Sequence, residues 1–542
     1  MSVSQLPFRI RVGVTGHRSL SGAQRIFDRV GRFFSEGPWH LFDQEIKPKD
    51  RRVDFRFTLL SCLAEGADRL VAQAALQVKG TSIEAVLPLP ADEYEKDFAS
   101  PESRREFACL LEQAERVTVV KAESAVGEAR NLAYERAGRY LVDTCDLLIA
   151  VWDGQPARGR GGTAEIVAYA REKQVPLVII SASEPHEVSL EKGLGLSSRA
   201  YDRLGRFNSF AVDSETERVY IANLTADLFD NPEGKKLSAE VKANIRNNLL
   251  PWYVRASLMA KKNQKKYLRA GLLVYTLSPL AVAAVAAAIL IPALAAAAFL
   301  TEFFLLTIIL FVLLSADRKK THKNWIEARF LAEHIRSAFF LAACGNLPTS
   351  GFQRRAPRTR SQAGEWAHRA FAEIVKCMGP VEPVSVESCE MAVNFARRHW
   401  LREQIAFHAA KAKRSQRAGH RLEKAGWLVF LAAILAAAWH LLDIFLGHPA
   451  AMAPAEKTLL FLALLLPAIG ASLGGVRGHR EYSRLARRSS YMQVALEELD
   501  ARLALARRPA ELAALLGECE QLMLQDTREW LSLMTFAKVE AI

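Results

Sequence analysis

The sequence predicts an α/β N-terminal domain on a parallel sheet, then an all-α membrane region with four transmembrane helices and long cytosolic helices. Three observations carry this prediction. Apolar strand-like runs alternate with amphipathic segments from residue 8 to residue 181, the pattern of a parallel sheet covered by helices on both faces. Two almost wholly apolar stretches follow, at 272–314 and 425–476. A bilayer core takes about 20 apolar residues per helix, so each stretch is too long for one span and suits two joined by a turn. Lysine and arginine crowd the flanks of both stretches and avoid the hairpin loops, which hold no arginine and only one lysine, Lys457.

In chain order, strands are expected at 8–15, 55–63, 83–87, 117–121, 146–152 and 177–181. Helices are expected at 21–34, 67–78, 102–115, 130–141 and 162–172. In the first of these, Ile26, Phe27, Val30, Phe33 and Phe34 recur at helical spacing. Such sheets bind ligands beyond the carboxyl ends of their strands, usually at helix N-termini.

Three glycine-bearing stretches fall at those strand ends. In Gly13-Val14-Thr15-Gly16-His17-Arg18 the glycines permit a tight turn, and Thr15 and Arg18 can bond phosphate. In Glu65-Gly66-Ala67-Asp68-Arg69 the small residues let a helix start against the strand end, Glu65 can accept from a ribose hydroxyl and Asp68 can cap the helix. The plainer reading has Asp68 capping and Arg69 pairing with it. The third stretch is Trp152-Asp153-Gly154 followed by Gly159-Arg160-Gly161-Gly162-Thr163-Ala164-Glu165. Gly161, Gly162 and Thr163 offer backbone N–H groups at a helix start, which suits an anion. Glu165, in the first turn, favours the helix dipole and can also face a ribose. Tyr94 and Asp97 are placed near this pocket or as loop anchors.

VGVTGHRSL, LAEGADRL, VLPLPADEYEKDF and DLLIAVWDG with GRGGTAE resemble the SLOG superfamily over residues 8–185. That Rossmann-like group includes the LOG enzymes and nucleotide sensors of bacterial conflict systems. The resemblance implies a nucleotide pocket lined by 13–18, 65–68 and 161–165. LOG enzymes cleave a nucleotide N-glycosidic bond with a PGGxGTxxE motif. Here Gly161, Gly162, Thr163 and Glu165 match in part: the leading proline is absent, and the acid follows the threonine by two positions rather than three. This departure favours sensing over LOG-type hydrolysis, in which Glu165 would be catalytic.

The head is expected to end near residue 200. Residues 201–250 read as an appendage or connector, with short strands at 207–212 and 218–221. The four spans are expected at 271–291, 297–315, 425–446 and 457–475. Basic flanks, among them Lys261, Lys262, Arg318, Lys320, Lys411, Arg414, Arg477 and Arg480, place both termini and the head in the cytoplasm by the positive-inside bias. The layout repeats as helix, span, span, helix: one unit at 251–345, a polar linker at 346–364, and a second unit at 365–542. Two-span hairpins with cytosolic helices behind a SLOG head resemble SLATT effector modules. This implies a duplicated, oligomeric pore-forming or membrane-disturbing device of antiviral defence in a bacterial inner membrane.

The spans hold few polar groups: Thr276, Ser278, Thr301, Glu302, Thr307, His440, Asp443 and Ser472. Gly470 and Gly474 form a small-residue packing face. The formal charge of +13 lies largely beside the apolar runs, as an anionic membrane surface favours, so no nucleic acid is expected as partner. The seven cysteines lack CxxC or metal-like spacing and read as reduced thiols. The expectation is therefore a nucleotide ligand, a lipid bilayer and further copies of the chain as partners, with no metal or bound cofactor.

Overall fold

In a computed structural model, residues 5–120, 127–156, 160–318, 320–348, 364–379, 381–445 and 454–535 are described. In chain order they form β1 (Phe8–Gly16), α1 (Ala23–Glu36), β2 (Phe55–Ser61), α2 (Ala67–Leu76), β3 (Ser82–Leu87), α3 (Ala91–Tyr94), α4 (Pro101–Glu112), β4 (Ala114–Val119) and α5 (Gly127–Thr144). Then come β5 (Leu147–Trp152), α6 (Thr163–Glu172), β6 (Leu177–Ser181), β7 (Val188–Glu191), α7 (Ser198–Asn208), α8 (Ser214–Phe229), α9 (Pro232–Lys235) and α10 (Ala239–Asn244). The remainder is helical: α11 (Leu250–Leu290), α12 (Ala295–Arg318), α13 (Thr321–Ala343), α14 (Glu365–Lys376), α15 (Cys389–Phe395), α16 (Arg402–Phe445), α17 (Pro454–Arg480), α18 (Tyr482–Ala504) and α19 (Pro509–Thr535). The chain divides into two compact units, one of residues 1–210 with 350–376, the other of 211–349 with 377–542.

The first unit is a Rossmann-like sheet ordered β4-β3-β2-β1-β5-β6-β7. β1 pairs in parallel with β2 on one side and β5 on the other, with Val12 opposite both Leu59 and Leu147. The central strands are buried on both faces, so they read as nearly continuous apolar runs. The short β7 runs antiparallel along β6, where Ile180 faces Val188. Chain direction across the sheet reverses between β1 and β5, which makes the crevice above their carboxyl ends the topological switch point.

Two expectations are corrected here. The segments at 207–212 and 218–221 are not strands. Ser198–Asn208 and Ser214–Phe229 are helices, the latter started by Asp213, whose Oδ2 accepts from the Thr216 backbone N–H at 2.9 Å. Such a cap, with Glu215 and Glu217 in the first turn, outweighs the strand propensity of Val219 and Tyr220. The head also does not end near residue 200, and α14 does not belong to the second membrane module. It packs on the head sheet: Arg9 pairs with Glu373, Lys376 Nζ lies 2.9 Å from Glu115, and Trp366 packs on Phe207 with ring centroids 5.4 Å apart. Most of the linker at 346–364 lies outside the described residues.

In the second unit, four helices are long and apolar enough to cross a membrane. Their spans lie within α11, α12, α16 and α17. Outward apolar side chains such as Phe303, Phe311, Trp427 and Leu428 are 64–71% exposed, as lipid-facing residues are. The two modules share local devices as well as order. A short π-helical stretch, Ile245–Leu249 or Ala396–Leu401, precedes each long helix. One left-handed residue, Lys320 at φ 45° or Glu481 at φ 49°, separates the second span of each pair from the helix that follows. Tyr267 of α11 stacks on His322 at 4.1 Å and lies 4.5 Å from His479 of α17, linking the two hairpins. A Cβ at Gly271 would meet that His479 ring at 2.2 Å, so this close approach requires glycine. Gly470 faces Val429, whereas Gly474 meets no neighbour. The side chains of His440 and Asp443 lie outside the described residues.

Candidate ligand cavity of the head

A cavity of about 800 Å³ opens above the carboxyl ends of β1 and β5. Of the sequence-predicted residues, Thr15, Gly16, His17, Arg18, Asp68, Asp153, Gly161, Gly162 and Thr163 line it. The chain folds this way because β1 and β5 both end there. The His17 backbone N–H donates to Val151 O at 3.1 Å. His17 Nε2 lies 3.1 Å from the Asp153 backbone nitrogen and 3.0 Å from its Oδ1, bridging the two strand ends. The Asp153 carboxylate also accepts from the Gln155 N–H, the larger cause of its lowered pKa, with His17 adding to it. Gly16 is obligatory: a Cβ there would lie 2.4 Å from Ala67 and 2.8 Å from Val151 O.

The start of α6 supplies the anion-ready wall. Its N-terminus has no side-chain cap, so the first-turn amides from Gly162 onward have no intrahelical acceptor. They carry the positive end of the helix dipole. Gly161 has φ +77°, and a Cβ there would meet the Glu135 backbone nitrogen at 2.8 Å. Its N–H donates to Glu165 Oε2 at 2.7 Å. Glu165 therefore folds back on its own loop and is absent from the cavity lining, contrary to the ribose-facing role. Gly159 lies outside the described residues.

Gly13, Glu65, Gly66, Ala67, Arg69 and Gly154 also do not line the cavity. Gly13 lies inside β1 against Leu148 and Cys145. Glu65 accepts from the Ser103 hydroxyl, which removes it from a ribose. Gly66, at φ +81°, gives the room in which the Arg18 and His17 carbonyls approach α2, and the Ala67 N–H donates to His17 O at 3.0 Å. Arg69 does not pair with Asp68. It is buried and bonds Leu63 O at 3.0 Å, Ser103 Oγ at 2.8 Å and Glu106 at 2.9 Å.

Asp68 is no cap, since α2 begins without a side-chain cap bond. Its carboxyl is buried beside Ser61 and Cys62, and burial raises its pKa to about 7 against hydrogen bonds from Ala64, Ser61 and Cys62. Burial and the neighbouring Asp68 likewise push the Cys62 thiol up. The Arg18 guanidinium, exposed at the rim, has no hydrogen-bond or ion-pair partner among the described residues.

Beside Tyr94, which the sequence placed near this pocket, three side chains without a role in the sequence reading complete the lining: Arg130, Tyr134 and Arg160. Arg130 of α5 lines the cavity and pairs with Asp97 at 2.5 Å. Tyr94 and Tyr134 line it with rings 5.9 Å apart. Both of their hydroxyls are buried without a hydrogen-bond partner among the described residues. Arg160, also in the lining, is held by Glu135 at 2.6 Å and Glu128 at 3.1 Å. The arrangement offers helix-start amides and one unpaired guanidinium for an anion. It adds two orphan hydroxyls and aromatic walls for a polar, flat group. Compared with known proteins, the chain matches no family model and no curated protein.

Proposed function

We propose that this protein is a nucleotide-sensing membrane effector, with a SLOG-like head controlling two SLATT-like hairpin modules. The carrying observation is the switch-point cavity, with its uncapped α6 start, unpaired Arg18 and orphan tyrosine hydroxyls, on the same chain as four membrane-crossing helices. Nucleotide binding shifts the membrane helices between two arrangements by differential affinity for them. The output is a pore, or loss of inner-membrane integrity, in antiviral defence. The exposed apolar helices support assembly of several copies, and the basic flanks support a cytoplasmic head and termini. A LOG-type hydrolase is disfavoured, because Glu165 bonds its own Gly161 N–H.

The test uses the full chain in dye-loaded liposomes, challenged with mononucleotides, cyclic dinucleotides, cyclic oligonucleotides and ADP-ribose. Small molecules released from the purified protein are identified by mass spectrometry. Release triggered by one nucleotide class, and reduced at least tenfold in Arg18→Ala, is expected. Leakage that ignores every nucleotide, or that Arg18→Ala leaves intact, overturns the reading.

A further inference from the structure

The two hairpin modules meet in an aromatic stack. Tyr267 of α11 lies between two imidazoles. His322 of α13 stacks on it at 4.1 Å with an interplanar angle of 14°, and His479 of α17 approaches at 4.5 Å. Tyr275, two turns further along α11, lies 5.9 Å from His479, and Trp325 lies 5.8 Å from Tyr267. Tyr267 is 2% exposed, and its hydroxyl is buried without a hydrogen-bond partner among the described residues. Both nitrogens of His479 are shielded from solvent, and the hydrogen-bonding group beside the ring is the Tyr267 backbone. Gly271 leaves the imidazole its space, since a Cβ there would collide with it.

The setting is neutral, and the acids around it are engaged. From α11, Tyr267 and Tyr275 face His479. From α13, His322 lies against Tyr267, with Lys323 next in sequence. On α17 itself, Arg480 adds a like charge. Glu481, at the left-handed break, acts on Tyr267 and lies 3.2 Å from Arg484. On α16, Glu423 lies 3.9 Å from Arg477, two residues before His479. His479 sits four residues past the expected span end at 475. There burial, and then the Arg480 charge, disfavour its protonated form.

We infer that the Tyr267–His479 contact is a proton-operated latch between the two hairpin modules, closed while the imidazole is neutral and released when acid at that membrane surface protonates it. A neutral imidazole packs on the tyrosine ring as a flat group. A charged one needs water or a carboxylate, and α11 and α17 must part for water to reach it. Attraction of the charged ring to the tyrosine face offsets only part of that cost. The parted arrangement takes up its proton near the ordinary histidine pKa of about 6.5, the packed one only at lower pH. Acid therefore favours parting, by up to about tenfold per pH unit below about 6.5. The latch does not depend on the head cavity being a nucleotide sensor.

The experiment measures hydrogen exchange of the full, nucleotide-free chain in neutral-lipid nanodiscs at about pH 7.5 and about pH 5, corrected for intrinsic rates. Peptides covering 264–275 and 474–484 are expected to exchange at least tenfold faster in acid. His479→Gln, uncharged at both pH values, should abolish this response. His479→Phe, which keeps a flat ring, should abolish it too, so the test survives misfolding of either variant, with helicity checked by circular dichroism. Equal protection at both pH values in the parent chain overturns the proposal, as does an acid response that the folded variants retain. A response lost in His322→Gln but kept in His479→Gln assigns the proton to the other face of Tyr267 and also overturns it.

Discussion

The Arg369 guanidinium of α14 holds both carboxylate oxygens of Asp146, at 2.8 and 3.0 Å, across 223 positions of chain. Asp146 Oδ2 also accepts from the Arg11 backbone N–H at 2.8 Å, so one carboxylate ties α14 to both β1 and the start of β5. Arg369 further donates to Arg9 O at 2.9 Å and lies 4.8 Å over the Phe8 ring. Opposing carboxylates outweigh burial and push its pKa up, while burial raises that of its neighbour Glu365.

Arg369→Ala should therefore destabilise the head by on the order of 3 kcal/mol, because it leaves Asp146 without its partner. Hydrogen exchange of the β1 and β5 amides in the full chain reads this directly. Exchange unchanged in those strands would show that the pair contributes nothing net.

The orphan hydroxyls separate ligand binding from packing. Tyr94→Phe removes a buried hydroxyl that has no partner among the described residues. Stability should hold or rise by up to about 1 kcal/mol, while affinity for the activating nucleotide falls about tenfold. Isothermal titration beside thermal unfolding checks both arms. A large loss of stability would mean the hydroxyl is bonded in the fold.

Asp68 predicts a pH dependence with a defined sign. Its pKa is raised from 3.8 to about 7, so the folded state holds the proton more tightly than the unfolded chain. Its stabilising contribution is complete below pH about 4 and is lost as pH rises through about 7, amounting to about 4 kcal/mol in all. Exchange protection of the β2 amides, corrected for intrinsic rates, should fall across this window and be flat there in Asp68→Asn. Parallel curves for the two proteins would remove Asp68 as the cause.

Membrane orientation is open to labelling. Cys109 and Cys377 are exposed thiols, which the proposed topology puts on the cytoplasmic side. In intact cells a membrane-impermeant maleimide should spare both and should label Leu294→Cys in the first hairpin turn. Labelling of Cys109 before permeabilisation would invert the topology.

The parallel sheet and the four spans were legible because each is written locally, as alternating apolar and amphipathic runs or as unbroken apolar stretches. The strand-end glycines were legible for the same reason. Tyr94, at the end of α3, is placed by the sequence near the pocket or as a loop anchor, whereas Tyr134 and Arg130 reach the cavity by tertiary folding from α5, which local pattern does not encode. Glu65 and Glu165 lie in the right stretches yet bond Ser103 and Gly161, a choice of rotamer and partner invisible in spacing. In α14 the apolar Trp366, Ala370, Phe371 and Ile374 recur at helical spacing, which marks a buried face but not its partner, because Glu373 and Arg369 find theirs some 220–360 residues away.

The return of α14 sets an order of biogenesis. All seven strands precede residue 210, but the helix that carries Arg369 is synthesised only after the first hairpin. At a synthesis rate of 5–20 residues per second, the interval is roughly ten to thirty seconds. During it Asp146 lacks its guanidinium partner, while the two helices between them that are long and apolar enough to cross a membrane are being made. The newborn head thus receives its last helix only after the first apolar hairpin has been synthesised.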